Sequence, residues 1–424
     1  MSEKLRIGLA GLGTVGATVA ARLLSGAVPR AELVAVSARD ENKDRGVDLS
    51  GVSFVSDPSA LATQEDVDVV VELIGGEGGA ALDLVERSLD ANKPVVTANK
   101  AMLAAHADAL SKLSVGGTVP LAFEAAVAGG IPIIKALREG LAGNDINRIC
   151  GILNGTCNYI LSRMEAAGLS FDDALKEAQE KGFAEADPTL DISGVDAAQK
   201  LAILSALAYG VAPDLDNVSV SGIEAVTAAD IAFADEFDSV IRLVATAVRS
   251  GNGVYHSVEP VLVKKSEPLA QVVNELNAVS ISAAPLGDIM LQGPGAGGGA
   301  TASAVLADIA DIAAGFGRPL FDRAVSEMTE SASENAPASE FYIRLALADK
   351  PGSMAKATQI LAENGVSIEE VVQRSSEAGD SYLPVVFITH RIENQLLRSA
   401  LIALEQQTEI CNAVLALPVF AQDV

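Results

Sequence analysis

From Lys4 to about Glu124 short β-rich runs alternate with helical stretches, the pattern of a parallel sheet with helices on both faces. The runs LRIGLA (5–10), LVAVSA (33–38), VDVVVEL (67–73), PVVTA (94–98) and VPLAFE (119–124) are predicted strands, with Ala-rich helices between them. A second region, from about Ile131 to Ala314, mixes strands with long helices and shows no repeat period. The stretch SEMTESASENAPASE is rich in Ser, Glu, Ala and Pro and poor in apolar periodicity, so it reads as a linker ending near Ser339. Beyond it FYIRLALA, a DKPG turn and the helix SMAKATQILAENG lead to strands near 366–374 and 383–390. A helix from about Glu393 and a strand near 411–417 complete a βαββαβ pattern.

Composition narrows what such a chain does. Its 424 residues exceed one ordinary core and predict two or three domains. With 49% hydrophobic and 20% charged residues the chain is globular, and the absence of Trp means cores built from Ala, Val, Ile and Leu. The excess of 56 acidic over 30 basic residues gives a net charge of -26, which repels nucleic-acid phosphates and anionic membrane faces. Neither is an expected partner, and any anionic ligand must rely on backbone N–H groups and a few placed cations. Cys150, Cys157 and Cys411 have no metal-ligand spacing, and His106, His256 and His390 form no cluster, so neither disulfides nor zinc are expected. The start MSEKLRIGLAGLG lacks an apolar signal core, and no apolar run approaches the roughly 18 to 20 residues of a membrane helix, so a cytoplasmic location is expected.

Gly11-Leu12-Gly13-Thr14-Val15-Gly16 follows the first apolar strand and opens the helix TVGATVAARLL, the context a dinucleotide-binding turn requires. Gly11 permits the tight turn, Gly13 lets backbone approach a pyrophosphate, and Gly16 allows close helix–sheet packing. The helix start at Thr14 and Val15 supplies N–H donors and partial positive charge. After the second strand the run Val36-Ser37-Ala38-Arg39-Asp40 has no acid where one binds the ribose of NAD, so Arg39 favours the 2′-phosphate of NADP over NAD. Lys43 and Arg45 add favourable charge if that loop folds over the adenosine end. Ligands of such sheets bind at the carboxyl ends of the strands, which singles out Ile74-Gly75-Gly76, Asn99-Lys100 and Glu124. Lys100 is there either a functional cation or the first lysine of a helix.

In the second region Asp196 and Lys200 lie four apart on an Ala-rich helix and share a face. They form either a surface pair beside a capping-box-like Ser193, or part of a pocket with the nearby acids Glu185, Asp187 and Asp191 that takes an ammonium group. GLGTVG, ELIGG (72–76), TANK (97–100), FEAAVAGGIPII (123–134), GILNGTCNYIL (151–161) and KGFAEADPTLDISGVDAAQKLAILS (181–205) together closely resemble homoserine dehydrogenase. One departure is Cys157, where that family usually has Thr. The segment FYIRLALADKPGSMAKATQILAENGVSIEEVVQRS resembles an ACT domain.

The resemblance implies an α/β chain organised as a Rossmann-type nucleotide-binding domain over 1–130 that is completed by about 315–330. An α+β catalytic and dimerisation domain over 131–314, a linker over 331–339 and a ferredoxin-like ACT domain over 340–424 follow. It implies oxidation of L-homoserine to L-aspartate 4-semialdehyde, the physiological direction being reduction, in threonine, methionine and isoleucine biosynthesis. Glu185 and Asp196, with Asp191, would hold the substrate, and Lys200 would pass the hydroxyl proton, with Lys100 near substrate and cofactor as a second proton-transfer lysine. A lysine suits this because desolvation eases loss of its proton and, charged, it polarises a carbonyl. Gly75, Gly182 and Gly297 would touch the cofactor, although Gly182 also reads as the left-handed cap of the helix FDDALKEAQEK and Gly297 as a flexible loop. A sodium ion held by carbonyls of Glu124, Val127, Gly129 and Ile131, a threonine effector at the ACT domain, and a homodimer or homotetramer complete the expectation. The start at the nucleotide strand reads as monofunctional, without an aspartokinase segment. Two rival readings remain at this point, another NAD(P)-dependent amino-acid dehydrogenase and an ACT-type sensor with a relic cofactor site.

Overall fold

β1 (Leu5–Ala10), β2 (Ala31–Ser37), β3 (Ser53–Val55), β4 (Val69–Glu72), β5 (Val95–Thr97) and β6 (Leu121–Ala122) pair in parallel in the order β3-β2-β1-β4-β5-β6. This is the doubly wound order, in which the chain reverses its direction of winding between β1 and β4 and opens a crevice at their carboxyl ends. The computed structural model describes residues 4–251, 253–329, 336–374, 382–410 and 414–421. The expected linker residues 331–335, the start of the last expected strand at 411–413 and Cys411 lie outside the described residues. The interior of the sheet is aliphatic, as its sequence requires. Ile7, Leu9, Val36, Val69, Val71 and Val96 form one cluster with Val19 and Leu23 of α1 (Thr14–Leu24). On the other face Leu84 of α2 (Ala80–Asp90) joins Ala35, Leu61 and Val70. A short helix α3 (Lys100–Ala105) follows β5, its amino end fixed by Asn99, whose side chain accepts the Met102 N–H at 3.2 Å.

β7 (Asp145–Ile152), α4 (Gly155–Ala167), α5 (Phe171–Glu180), α6 (Val195–Tyr209), β8 (Ser219–Val220), α7 (Ala228–Glu236), β9 (Ser239–Ser250), β10 (Gly253–Lys264), β11 (Leu276–Ala284), β12 (Gly287–Pro294) and α8 (Gly298–Ala314) follow. β13 (Phe341–Ala348), α9 (Ser353–Glu363), β14 (Ile368–Gln373), β15 (Tyr382–Thr389), α10 (Asn394–Glu405) and β16 (Leu415–Pro418) make an antiparallel sheet in the order β14-β15-β13-β16. The ferredoxin-like βαββαβ pattern read from the sequence is thus the one observed.

The chain divides into two compact units. The first holds Met1–Gly155, Asp196–Val218 and Leu276–Ser331. It contains the parallel sheet, the antiparallel strands β12-β11-β7, all but the first residue of α6, and α8, whose Ala302, Val305 and Ile309 enter the same core as β1 and α1. The second holds Thr156–Val195, Ser219–Glu275 and Ala332–Val424, built on the long hairpin β9–β10 and the C-terminal sheet. Within it, the fully buried Asp230 of α7 accepts the Tyr342 hydroxyl and pairs with Arg344, both at 2.7 Å, fastening β13 to α7. Among the described residues no helix is long and apolar enough to cross a membrane.

Candidate active site

The glycine turn has the geometry its residues require. Gly11 has φ +94°, and a Cβ there would lie 2.3 Å from the Leu73 carbonyl oxygen. A Cβ on Gly16 would lie 1.9 Å from the Gly11 carbonyl, so neither position admits a side chain. Gly13 is different. A Cβ there meets nothing within 4 Å, which leaves open space over the start of α1, a helix with no side-chain cap on its first N–H groups. Thr14 and Val15 open that helix, and a Cβ on Gly298 would press 2.7 Å from the Thr14 methyl, so Gly297 lies beside the turn at the head of α8.

A buried polar chain orders the neighbouring strand ends. Glu72, fully buried, accepts Ile74 and Gly75 N–H groups at 2.7 and 3.0 Å and the Thr97 hydroxyl at 2.6 Å. The Thr97 hydroxyl in turn accepts the Asn99 N–H at 3.0 Å, and the Asn99 amide donates to the Gly76 carbonyl at 2.7 Å. These bonds fix the Gly75-Gly76 loop and the start of α3, which carries Lys100. Sequence reading placed Asn99 at the ligand-binding edge but assigned no role to Glu72 or Thr97, although an acid closing an otherwise apolar strand run was a usable signal. Arg39 is exposed beyond β2 and has no ion-pair partner among the described residues. The Arg45 guanidinium bonds back to the carbonyls of Lys43 and Asp40 in its own loop.

Lys100, Asp196 and Lys200 meet in the first unit. Lys200 is 8% exposed, so the surface-pair reading of Asp196 and Lys200 does not describe them. Lys200 Nζ donates to Asp196 Oδ2 and to the Leu153 carbonyl, both at 2.7 Å. Lys100 Nζ lies 3.1 Å from Asp196 Oδ1, and the Asn154 amide donates to Oδ2 at 2.9 Å. Burial alone would raise the Asp196 carboxyl, yet the charges of Lys200 and Lys100, with hydrogen bonds from Lys200 and Asn154, hold it well below the usual carboxylate range. Asn154 is the residue sequence reading missed, a buried amide between β7 and α4.

Glu185 and Asp191 belong to the second unit, as does Gly182. Gly182, at φ +77°, closes α5 in the left-handed conformation, as the sequence predicted. Glu185 is exposed, with its carbonyl accepting Gln179 at 3.1 Å. Thr156 at the head of α4 donates to the Phe183 carbonyl at 2.7 Å and lies 3.3 Å from the Asp191 carboxylate, while the Cys157 thiol donates to the Asp191 carbonyl at 3.1 Å. A hydroxyl at this position would make that last bond too.

The loop after β6 is buried. Glu124 accepts the N–H groups of Ile134 and Lys135 at 2.8 and 2.9 Å, and its own N–H donates to Asp308 at 2.9 Å. Burial pushes the Glu124 carboxyl up to about 7 and that of Asp308 up to about 6. Ala128 and Gly129, at φ 54° and 46°, turn the chain, and Gly295 packs between Gly129 and Asn277, whose side-chain oxygen and nitrogen are buried without a partner among the described residues. The Glu124 carboxylate is already taken up by amides, so any cation in this loop would have to rest on neutral backbone oxygens. The carbonyl of Ile131 also accepts the Ile133 N–H at 2.8 Å.

Three family models match the chain, one described as homoserine dehydrogenase over residues 132–310, one as homoserine dehydrogenase, NAD binding domain over 11–124, and an ACT domain over 341–406. A homoserine dehydrogenase of Pseudomonas aeruginosa is 37% identical, the alignment covering 98% of this chain and 99% of that relative. The crystal structure of a homoserine dehydrogenase from Thiobacillus denitrificans superposes with a TM-score of 0.91 at 35% identity, over 99% of this chain and 98% of that one. A hyperthermophilic archaeal homoserine dehydrogenase in complex with NADPH superposes with a TM-score of 0.64 at 30% identity, over 74% of this chain and 99% of its own.

Proposed function

Because this chain belongs to the homoserine dehydrogenase family, the oxidoreductases that interconvert L-homoserine and L-aspartate 4-semialdehyde with a nicotinamide cofactor, we propose that Lys200 carries the hydroxyl proton and Asp196 receives the substrate's ammonium. The observation that carries this reading is the Asp196 carboxylate, its side chain 12% exposed, shared between two lysines. When bound, a nicotinamide cofactor would supply the hydride that reduces the aldehyde carbon. Lys200 polarises the aldehyde oxygen and gives it a proton, and in oxidation it takes that proton back. The ammonium takes Asp196 Oδ1 in exchange for Lys100, whose side chain is 34% exposed and free to swing toward the substrate. Comparison of L-homoserine with 4-hydroxybutyrate, which lacks the amino group, tests this. The expected loss in kcat/KM is about 100-fold or more, the worth of a charge-assisted contact, and equal values would refute it.

The cofactor turn would hold the pyrophosphate on Gly11, Gly13, Thr14, Val15 and Gly16, with Gly75, Lys100 and Gly297 adding contacts. NADP is the proposed cofactor over NAD, supported by the exposed Arg39, which has no ion-pair partner among the described residues, and by the NADPH bound to the archaeal relative. An Arg39→Glu variant is expected to lose the preference for NADP by roughly tenfold or more, read from kcat/KM for both cofactors, and an unchanged preference would sink the idea. A sodium ion on the carbonyls of Glu124, Val127, Gly129 and Ile131 would brace the loop, and L-threonine would bind through the ACT domain of an assembled dimer or tetramer. Melting curves check both ligands. NaCl but not choline chloride, and L-threonine but not glycine, should raise the midpoint, and no shift in either series removes the corresponding site.

A further inference from the structure

We propose that Asn154 is a positioning residue of the reaction centre, and that Leu153 and Asn154 together aim the one N–H of Lys200 left for substrate. The proposal rests on the reading of Lys200 and Asp196 given above. An ammonium has three N–H bonds in tetrahedral directions. Two of them on Lys200 are taken, by the Leu153 carbonyl and by Asp196 Oδ2, both at 2.7 Å, so the third has one direction left. That direction holds only while Oδ2 stays where it is. A carboxylate turns easily about its last side-chain bond, and the lysines that meet Asp196 sit on flexible stems and follow it. Asn154 does not follow. It is 3% exposed, lies between β7 and α4, and donates to Oδ2 at 2.9 Å. Its amide therefore places Oδ2 beside Lys200 and leaves Oδ1, which lies 3.1 Å from Lys100, as the oxygen a substrate ammonium takes. Both fixed points come from consecutive residues at one strand end, so the direction of proton transfer is set by that junction rather than by α6 alone.

Asn154→Asp tests this with a residue of the same size. At pH 8 its carboxylate opposes that of Asp196. On acidification two neighbouring carboxyls take up one proton at raised pH, and the protonated form donates to Oδ2 as the amide did. The full-length protein and its Asn154→Asp and Asn154→Ala variants are assayed for homoserine oxidation from pH 8 to pH 6. Asn154→Ala is expected to lower kcat/KM for homoserine about 10- to 100-fold at every pH, with the KM for NADP+ unchanged. The ratio of Asn154→Asp to wild type should rise at least about tenfold as the pH falls. A flat ratio, or Asn154→Ala within twofold of wild type, overturns the proposal. If Asn154→Asp does not fold, the homoserine-against-NADP+ contrast in Asn154→Ala decides alone. A Lys200→Ala variant run alongside separates the two failures. If it is inactive and the Asn154 profiles are flat, only the positioning role falls, whereas an active Lys200→Ala removes the underlying pair as well.

Discussion

Alanine at position 200 is expected to lower kcat for homoserine oxidation by about 10³- to 10⁴-fold, the upper range for loss of a positioned acid–base group. The variant loses the ammonium that bonds both the Leu153 carbonyl and Asp196 Oδ2. It should still fold, because Asp196 retains Lys100 and Asn154 as partners and its charge stays compensated. The KM for NADP+ should therefore be unchanged, and the far-ultraviolet spectrum should match that of wild type. Lys200→Arg should not rescue turnover. A guanidinium stays charged and is too broad for a slot 8% exposed, so it can neither accept the hydroxyl proton nor occupy the same place.

Asp196→Ala carries the second large effect, and it falls on both stability and substrate binding. Removing the carboxylate leaves the buried Lys200 ammonium without its counter-charge, a change that costs about 3–5 kcal/mol when one partner of a buried pair is deleted. The homoserine KM should rise about 100-fold for want of the ammonium's partner. The stability effect has a definite pH sign. The two lysines hold the Asp196 carboxyl below its unfolded value, so its contribution is present above about pH 4 and is withdrawn as the pH falls below that. Urea melts should therefore show the gap between wild type and Asp196→Ala at its full size at pH 7 and shrinking below pH 4. A gap that grows on acidification would contradict the assignment.

Much of the first unit was legible because parallel strands buried on both faces are aliphatic throughout. LRIGLA is β1 to the residue, and the runs predicted at 67–73 and 94–98 contain β4 and β5. β3 escaped because Ser-Phe-Val, at 53–55, is too short to show a pattern among Gly, Ser and Asp. The run at 119–124 was read too long, since Glu124 already begins a 3-10 turn and only Leu121–Ala122 pair with β5. At the site, the spacing of Asp196 and Lys200 showed that they share a helix face but not that the face is buried. What buries and orders them is Leu153 and Asn154, more than forty residues earlier, and Lys100, nearly a hundred earlier, a proximity no local pattern encodes. Arg45 turns back into its own loop for a local reason, its guanidinium donating to the carbonyls of Lys43 and Asp40. The glycine turn was fully readable, because the collisions that a Cβ would make at Gly11 and Gly16 follow from the strand–turn–helix geometry itself.

The most direct measurement is the initial rate of NADP+ reduction at saturating L-homoserine, followed by absorbance of the reduced nicotinamide, in Lys200→Ala and Lys100→Ala beside wild type. The pairing of Lys200 with Asp196 in the buried centre, and of the more exposed Lys100 at its edge, predicts near-complete loss in Lys200→Ala and a smaller loss in Lys100→Ala. Near-normal turnover in both variants would contradict the account.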